Sequence, residues 1–171
     1  MMQVTAAALA TQRSLRGMQA GQLEALAATA TEVLFPARHR IFADGDHADR
    51  FWLIESGYVL LDVHVPGEGL AVIGRVGIGG LLGWSWLFPP YQRVSGAVCV
   101  TEVRALEFSA PAVRERCAAD PVLRDELTQR LFQVAAGRLR DTRTRLVTGA
   151  FLSSRYEDAR GQAGRPLGSA A

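Results

Sequence analysis

The spacing of hydrophobic residues changes twice along the chain and divides it into three parts. Residues 5–33 are rich in alanine, and their larger apolar side chains recur near a 3.6-residue period, which predicts two short helices. Between residues 35 and 108 the apolar runs become short, and Val59, Leu61, Val63 and Val65 alternate as in a strand. From Ser109 onwards the helical period returns.

Turn residues punctuate the central part at regular intervals. The clusters are Asp44-Gly45-Asp46, Ser56-Gly57, Pro66-Gly67-Glu68-Gly69 and Gly77–Gly80. Short strands separated by such turns are typical of a sandwich, a jelly roll or a barrel. The predicted fold is therefore mainly β with flanking helices: a β-roll or jelly roll, a double-stranded roll like that of the cupins. N-terminal helices precede it and a long C-terminal helix follows it.

Capping signals predict two C-terminal helices. Ser109 is followed by a proline two positions on, and Asp120-Pro121 repeats the pattern before a longer apolar stretch. On that second helix, Leu127, Leu131 and Val134 share one face. We predict that the chain forms a homodimer through helix 120–148 by way of this stripe.

These patterns give a four-part organisation. Residues 1–34 are expected to form N-terminal helices, 35–108 a β-roll with a short helical turn within 80–95, and 109–150 C-terminal helices. Residues 151–171 are polar and rich in glycine, so a disordered tail is expected there.

Composition narrows the class of protein without naming a function. The net charge of +2 gives no sign of a nucleic-acid binder, and 49% hydrophobic residues predict a packed core. Cys99 and Cys117 fall in apolar patterns, which indicates buried thiols rather than a disulfide framework.

No basic region precedes the first apolar stretch, and no apolar run is long enough to cross a bilayer. We expect a cytoplasmic protein with no membrane association.

Several landmarks together resemble the cyclic-nucleotide-binding domain of the catabolite-activator (Crp/Fnr-like) type. They are Phe42, Gly45-Asp46, the run Phe51–Val59, the run Val76–Gly83 with its glycines, Arg93 and Asp120-Pro121. The resemblance covers roughly residues 35–148. It implies a regulatory β-roll whose short internal helix, the phosphate-binding cassette, binds a cyclic nucleotide such as cAMP or cGMP.

The stretch GWSWLFPP at 83–90 supplies the cassette. A helical turn that begins after Gly83 presents free N–H groups to an anion, and Gly83 lets the backbone come close. Arg93 would add a donor fork that matches phosphate, and Ser95 a hydroxyl. The predicted ligand-binding residues are Leu82, Gly83, Trp84, Ser85, Arg93, Val94 and Ser95. The resemblance adds Thr142, because the family places base-contacting residues near the middle of the long helix.

Trp84 stands where the family usually has a glutamate that accepts the ribose hydroxyl. An indole donates one hydrogen bond and cannot replace that carboxylate. Two outcomes follow: Trp84 and Trp86 fill the pocket, or they form a wall for another ligand. The preferred hypothesis is a sensor that binds a small anionic ligand and signals through its C-terminal helix. The alternative is a ligand-free module for dimerisation or for contact with an unidentified protein.

Other functions are not indicated. The residues after 150 are too few and too rich in glycine for a helix-turn-helix domain, so no DNA-binding domain is expected. His39, His47 and His64 lack metal-ligand spacing, and no nucleophile or phosphate-loop motif occurs. We therefore expect no enzymatic activity, no metal and no cofactor beyond the ligand itself.

Overall fold

A computed structural model describes residues 4–67 and 69–163; within its last helix, the side chains of 145 and 149–163 are not described. The chain divides into two units, Met1–Val134 and Ala135–Ala171, which are considered separately below. The first unit contains every strand of the described residues and both hydrophobic clusters.

The elements follow the predicted order of helices, strands and helices. The helices are α1 (Ala6–Thr11), α2 (Ala20–Ala27), α3 (Ala110–Ala119) and α4 (Pro121–Ala163), with 3₁₀ turns at Arg13–Leu15 and Trp84–Leu87. The strands are β1 (Ala30–Phe35), β2 (Arg40–Phe42), β3 (Arg50–Ser56), β4 (Val59–Val65), β5 (Gly69–Val76), β6 (Leu81–Leu82), β7 (Gly96–Cys99) and β8 (Val103–Ser109). The predicted β-roll with flanking helices is confirmed.

Two four-stranded antiparallel sheets form the roll, in the orders β1-β8-β3-β6 and β2-β7-β4-β5. Both faces of the first sheet are buried, because successive side chains of β3 point alternately into two different hydrophobic clusters. Phe51 and Leu53 pack into one hydrophobic cluster, while Trp52 and Ile54 pack into the other. We call these the helical cluster, which includes residues of all four helices, and the roll cluster, which lies between the sheets.

The N-terminal helical segment is shorter than predicted. Residues 30–35 form strand β1, although the sequence analysis extended the helices to residue 33. The strand pairs with β8 in register, Ala30 opposite Phe108 and Phe35 opposite Val103. Backbone pairing with a distant strand, combined with β-branched Thr31 and Val33, outweighs the local helical spacing here.

The capping signals are correct at one helix and incomplete at the other. The side chain of Asp120 accepts hydrogen bonds from the backbone N–H groups of Val122 and Leu123, at 2.9 and 3.1 Å, so it caps α4 as expected. Ser109 precedes α3, and Pro111 lies in its first turn, but the Ser109 side chain makes no capping bond. Helix α4 runs to Ala163, past the predicted boundary at residue 150, and the rest of the predicted tail, 164–171, lies outside the described residues.

The stripe predicted to form a dimer contact is used within the chain instead. Leu127 and Leu131 are buried in the helical cluster, and Val134 packs against its edge. The expectation that this face would meet a second copy is wrong, because α4 needs it to cover the outer face of the first sheet. Arg130 fixes the helix in place by donating to the backbone carbonyls of Ser14 and Arg16, at 2.9 and 3.0 Å.

A bidentate ion pair joins Arg40 of β2 to Asp62 of β4, and Gly96 of β7 lies beside it. Arg40 donates to both carboxylate oxygens of the buried Asp62, at 3.0 and 2.8 Å. Gly96 of β7 lies opposite Asp62 in the ladder, and a Cβ there would come within 2.2 Å of Asp62 Oδ1 and 2.4 Å of Arg40 Nη1. The ion pair therefore requires a residue without a side chain at position 96.

We expect Gly96→Ala to lower the free energy of unfolding by about 1–3 kcal/mol, because the methyl group displaces the buried Asp62 carboxylate and the Arg40 guanidinium that pairs with it. The matched control is Gly74→Ala in β5, where a Cβ would only touch Leu61 Cδ1 at an ordinary 3.7 Å. Urea denaturation of both variants measures the difference. Equal losses at the two positions would show that the ion pair is not the cause.

Candidate functional site

The cassette backbone turns sharply at one glycine. Strand β6 ends at Leu82, which is fully buried in the roll cluster. Gly83 then adopts a left-handed conformation with φ of 81°, and a single 3₁₀ turn, Trp84–Leu87, follows. A non-glycine residue is strained at this φ. The predicted short helical turn is present, but one turn carries only a small dipole, so an anion there would depend mainly on side chains.

Arg93 lies inside the protein and faces this turn. Its side chain is only 3% exposed, and Nη1 donates to the Gly83 carbonyl at 3.0 Å. Nη2 donates to the carbonyl of Arg50 at 2.6 Å. The backbone of Arg93 is held as well, since its N–H donates to Asp46 O and its carbonyl accepts from Gly45 N. The structure thus brings Gly83 and Arg93 together, ten positions apart in sequence.

Aromatic rings support the guanidinium. Its Cζ lies 4.2 Å from the ring centroid of Phe42 and 5.3 Å from that of Trp52. The two rings stack on each other with centroids 5.6 Å apart, and we call them the aromatic pair. Burial lowers the pKa of Arg93 to about 10, although Asp49 and Asp46 nearby partly counteract this effect. Nε is buried without a hydrogen-bond partner.

The tryptophans of the cassette turn point away from the roll. Trp86 is buried in the helical cluster, where it stacks on Phe51 at 4.5 Å, and Trp84 packs against the same cluster. Neither indole is a member of the roll cluster, in which Phe42 and Trp52 support Arg93.

Helix α3 holds the far side of the cassette. Arg114 donates from Nη1 to the carbonyl of Trp86 at 2.8 Å, and its Cζ lies 4.4 Å from the ring centroid of Tyr91. One side chain therefore binds both the end of the cassette turn and the loop that leads to Arg93. Arg114 therefore links the cassette turn to α3.

The remaining predicted residues occupy different surroundings. Ser85 is buried in the cassette turn, Ser95 is half-buried, and Val94 is 61% exposed. Thr142 is exposed on α4 and belongs to the second unit. The ligand-binding roles assigned to the eight residues, Thr142 included, stay predictions.

The sequence analysis missed three residues that hold Arg93 in place. Phe42 and Trp52 served as landmarks of the resemblance but were not assigned to the site, and the carbonyl of Arg50 was not considered. Alternation along β3 signals that Trp52 faces the roll. No sequence pattern signals which backbone carbonyl an arginine will meet.

The described residues contain no group of three or more His, Cys, Asp and Glu side chains that could hold a metal ion. Both thiols are buried, and burial raises the pKa of Cys99 and of Cys117. None of the described helices is long and apolar enough to span a membrane.

Comparison with known proteins assigns the chain to a family. The model of the cyclic nucleotide-binding domain matches residues 32–120, which is more than half of the chain. The chain belongs to the cyclic nucleotide-binding domain family. It is a regulatory domain of the CRP-like type, and Gly83, the cassette turn and Arg93 all lie within the matched residues.

Relatives agree with this assignment. A CRP-like cAMP-activated global transcriptional regulator of Mycobacterium tuberculosis is 32% identical over 131 residues, which cover 77% of this chain and 57% of the regulator. The chain thus spans little more than half the length of the curated relatives it matches. A cyclic nucleotide-binding domain from Methylobacillus flagellatus shares the fold, with 22% identity, a TM-score of 0.70 and coverage of 77% of this chain and 74% of that one.

The catabolite activator protein of Thermus thermophilus also has this fold. It is 24% identical, with a TM-score of 0.62, and the match covers 81% of this chain and 63% of that chain. At this identity the likeness concerns the fold alone.

We expect Gly83→Ala to cost about 2–4 kcal/mol of unfolding free energy, since it combines backbone strain with a clash. A Cβ at Gly83 would lie 2.4 Å from Arg93 Nη1. Gly45→Ala is the control, because Gly45 has nearly the same φ, 82°, and no atom within 4 Å of the added Cβ. Urea denaturation should show a clearly smaller loss for Gly45→Ala. Equal losses would mean that Arg93 moves aside freely.

Proposed function

We propose that the chain is a regulatory sensor that binds a small anionic ligand beside Gly83 and Arg93, with a cyclic nucleotide as the first candidate. The observation that carries this proposal is the charge state of Arg93. Its guanidinium is buried, yet none of the ion pairs among the described residues includes it. Two neutral carbonyls accept from Nη1 and Nη2 while Nε has no partner among the described residues, and neither carbonyl neutralises the charge.

An anion would remove this electrostatic cost. A buried cation that forms no ion pair is unfavourable, and the lowered pKa of Arg93 expresses that penalty, which the nearby Asp49 and Asp46 offset only in part. The phosphate of a nucleotide would supply both the missing charge and a bidentate acceptor. The mycobacterial relative is named as cAMP-activated, which supports a cyclic nucleotide here.

Binding requires Arg93 to exchange partners. Nη1 and Nη2 donate to Gly83 and Arg50, so a phosphate must replace at least one of these carbonyls. Trp84 offers no acceptor for a ribose hydroxyl, and losing such a charge-assisted bond costs on the order of tenfold to a hundredfold in affinity. We therefore expect binding that is weaker than in a domain with glutamate at this position.

Arg114 provides a route from the ligand to the C-terminal helices. A phosphate that pulls Arg93 away from Gly83 frees the cassette turn, and the turn is bound to α3 through Arg114 and Trp86 O. Helix α3 leads into α4 across the single residue Asp120. The readout would be a change in the position of α3 and of the start of α4.

A ligand-free interaction module is the second candidate function. The observation in its favour is that both terminal nitrogens of Arg93 already donate to backbone carbonyls and the guanidinium contacts the aromatic pair. In this alternative the arginine is a structural link between the cassette and β3. The protein would then act only through its surfaces.

Calorimetric titration with cAMP and with cGMP distinguishes the two functions. We expect heat of binding with at least one nucleotide, and a loss of affinity of roughly tenfold or more in Arg93→Gln, because the buried charge is removed. Arg75→Gln is the control, since Arg75 is an exposed arginine on strand β5. No heat with either nucleotide, or equal losses in both variants, would favour the interaction module.

A dimer remains part of the proposal, through a different face of α4. Within the second unit, Leu139, Leu146 and Val147 are 71%, 70% and 49% exposed. The two leucines are seven positions apart, a spacing at which apolar side chains of one helix line up to pack against another helix. We propose that this apolar face meets the same face of a second copy.

We expect the native chain to sediment at twice its mass of 18.5 kDa, and Leu139→Ser to shift it towards the monomer. Val122→Ser, also at an exposed apolar position of α4, should leave the dimer intact. Sedimentation velocity over a range of concentrations measures both. A native monomer at every concentration would contradict this contact.

A further inference from the structure

A cavity of about 420 Å³ opens beside the aromatic pair, and neither Gly83 nor Arg93 is among its lining residues. Its walls come from β1, β2, the loop before β3, β3 itself and β8. We infer that this cavity is a second ligand site, distinct from the Arg93 site, and that it binds a small monovalent organic cation such as a quaternary ammonium compound.

The floor of the cavity is aromatic. Phe35, Phe42 and Trp52 line it, with the Phe42 and Trp52 rings stacked and the Phe35 ring edge-on to Trp52 at 6.5 Å. Ring faces attract cations, and several rings around one space are the usual way in which proteins hold alkylated ammonium groups. The aromatic pair also contacts the guanidinium of Arg93, and Phe35 stacks on His39 with ring centroids 5.2 Å apart.

Negatively charged side chains outnumber positively charged arginines around the cavity. Three carboxylates line it, those of Asp46, Asp49 and Glu107, together with the guanidinium of Arg50. Asp46 and Asp49 also act on the charge of Arg93. Even with both arginines counted, one negative charge is in excess. A ligand with a single positive charge completes the balance, whereas a second anion would add to the repulsion.

Two of the three carboxylates already accept hydrogen bonds within the protein, and the third accepts none from the part of the chain that the structure describes. Glu107 is occupied, since it pairs with Arg50 and accepts from Trp52 Nε1 at 2.8 Å. Asp46 accepts from the backbone N–H of Ala43 at 2.7 Å. Asp49 is exposed, and its carboxylate has no hydrogen bond or ion pair among the described residues. Asp49 is therefore the carboxylate best placed to attract the ligand.

The chemistry favours an organic cation over an inorganic one. The carboxylates near the cavity do not form a metal-binding group among the described residues, and an aromatic floor supplies no metal ligand. A desolvated ammonium with an apolar surface gains from ring contact as well as from charge, which a hydrated metal ion cannot do.

Nuclear magnetic resonance titration of the whole chain with choline tests this site. The reporter is the indole N–H of Trp52, identified by its loss in Trp52→Phe. We expect choline to shift this signal to saturation at about pH 8, where the carboxylates of the cavity are ionised. The uncharged isostere 3,3-dimethylbutanol should bind at least tenfold more weakly.

Two variants of one loop supply the matched control. Asp49→Asn should weaken choline binding roughly two- to tenfold, the range expected for a partly screened charge. Asp44→Asn removes an exposed carboxylate of the same loop that does not line the cavity, so it should change nothing.

Three results would overturn the inference: no shift with choline, equal binding of the uncharged isostere, or equal effects of the two variants. Saturable binding of adenosine with no response to choline would also overturn it, because the cavity would then take a neutral base. Each of these outcomes is measured without a variant of Arg93, so this test is separate from the nucleotide titrations of the proposed function.

Discussion

The burial of one guanidinium governs the arrangement of the site. Arg93 reaches the carbonyl of Gly83 only because that residue has no side chain, and it rests on the aromatic pair because β2 and β3 bring Phe42 and Trp52 together. Its backbone is bound to the loop at Gly45 and Asp46. Nη1 and Nη2 donate to neutral carbonyls and Nε has no partner, so no ion pair among the described residues neutralises the charge of Arg93.

The cassette connects the two hydrophobic clusters. Leu82 ends in the roll cluster, and Trp86, four positions later, is buried in the helical cluster. The left-handed conformation of Gly83 makes this change of side possible within so short a segment. Arg114 then binds the end of the turn to α3. Any force on Gly83 therefore acts on both clusters, which is a property that a regulatory domain can use.

The aromatic pair has two neighbours of different charge. Arg93 contacts its rings with a positive charge, while the carboxylates of Asp46, Asp49 and Glu107 line the adjoining cavity. Electrostatics thus separate the two proposed ligands by sign: an anion is drawn to the guanidinium and a cation to the carboxylate-lined cavity. Trp52 contributes to both through its ring and, by its N–H, to the orientation of Glu107.

Local patterns in the sequence determined the order of the elements, the turns and the cap at Asp120, whereas the pairing of Gly83 with Arg93 was expected from the family resemblance. The elements, turns and cap follow from hydrophobic period and turn chemistry, which act over a few neighbouring residues. Only the tertiary structure decided that residues 30–35 form a strand, that Leu127 and Leu131 face the chain's own core, and that both cassette tryptophans pack under the helices. It also decided which carbonyls meet Arg93 and where a carboxylate-lined cavity opens. Each depends on surfaces contributed by segments far apart in sequence, so no local pattern could specify it.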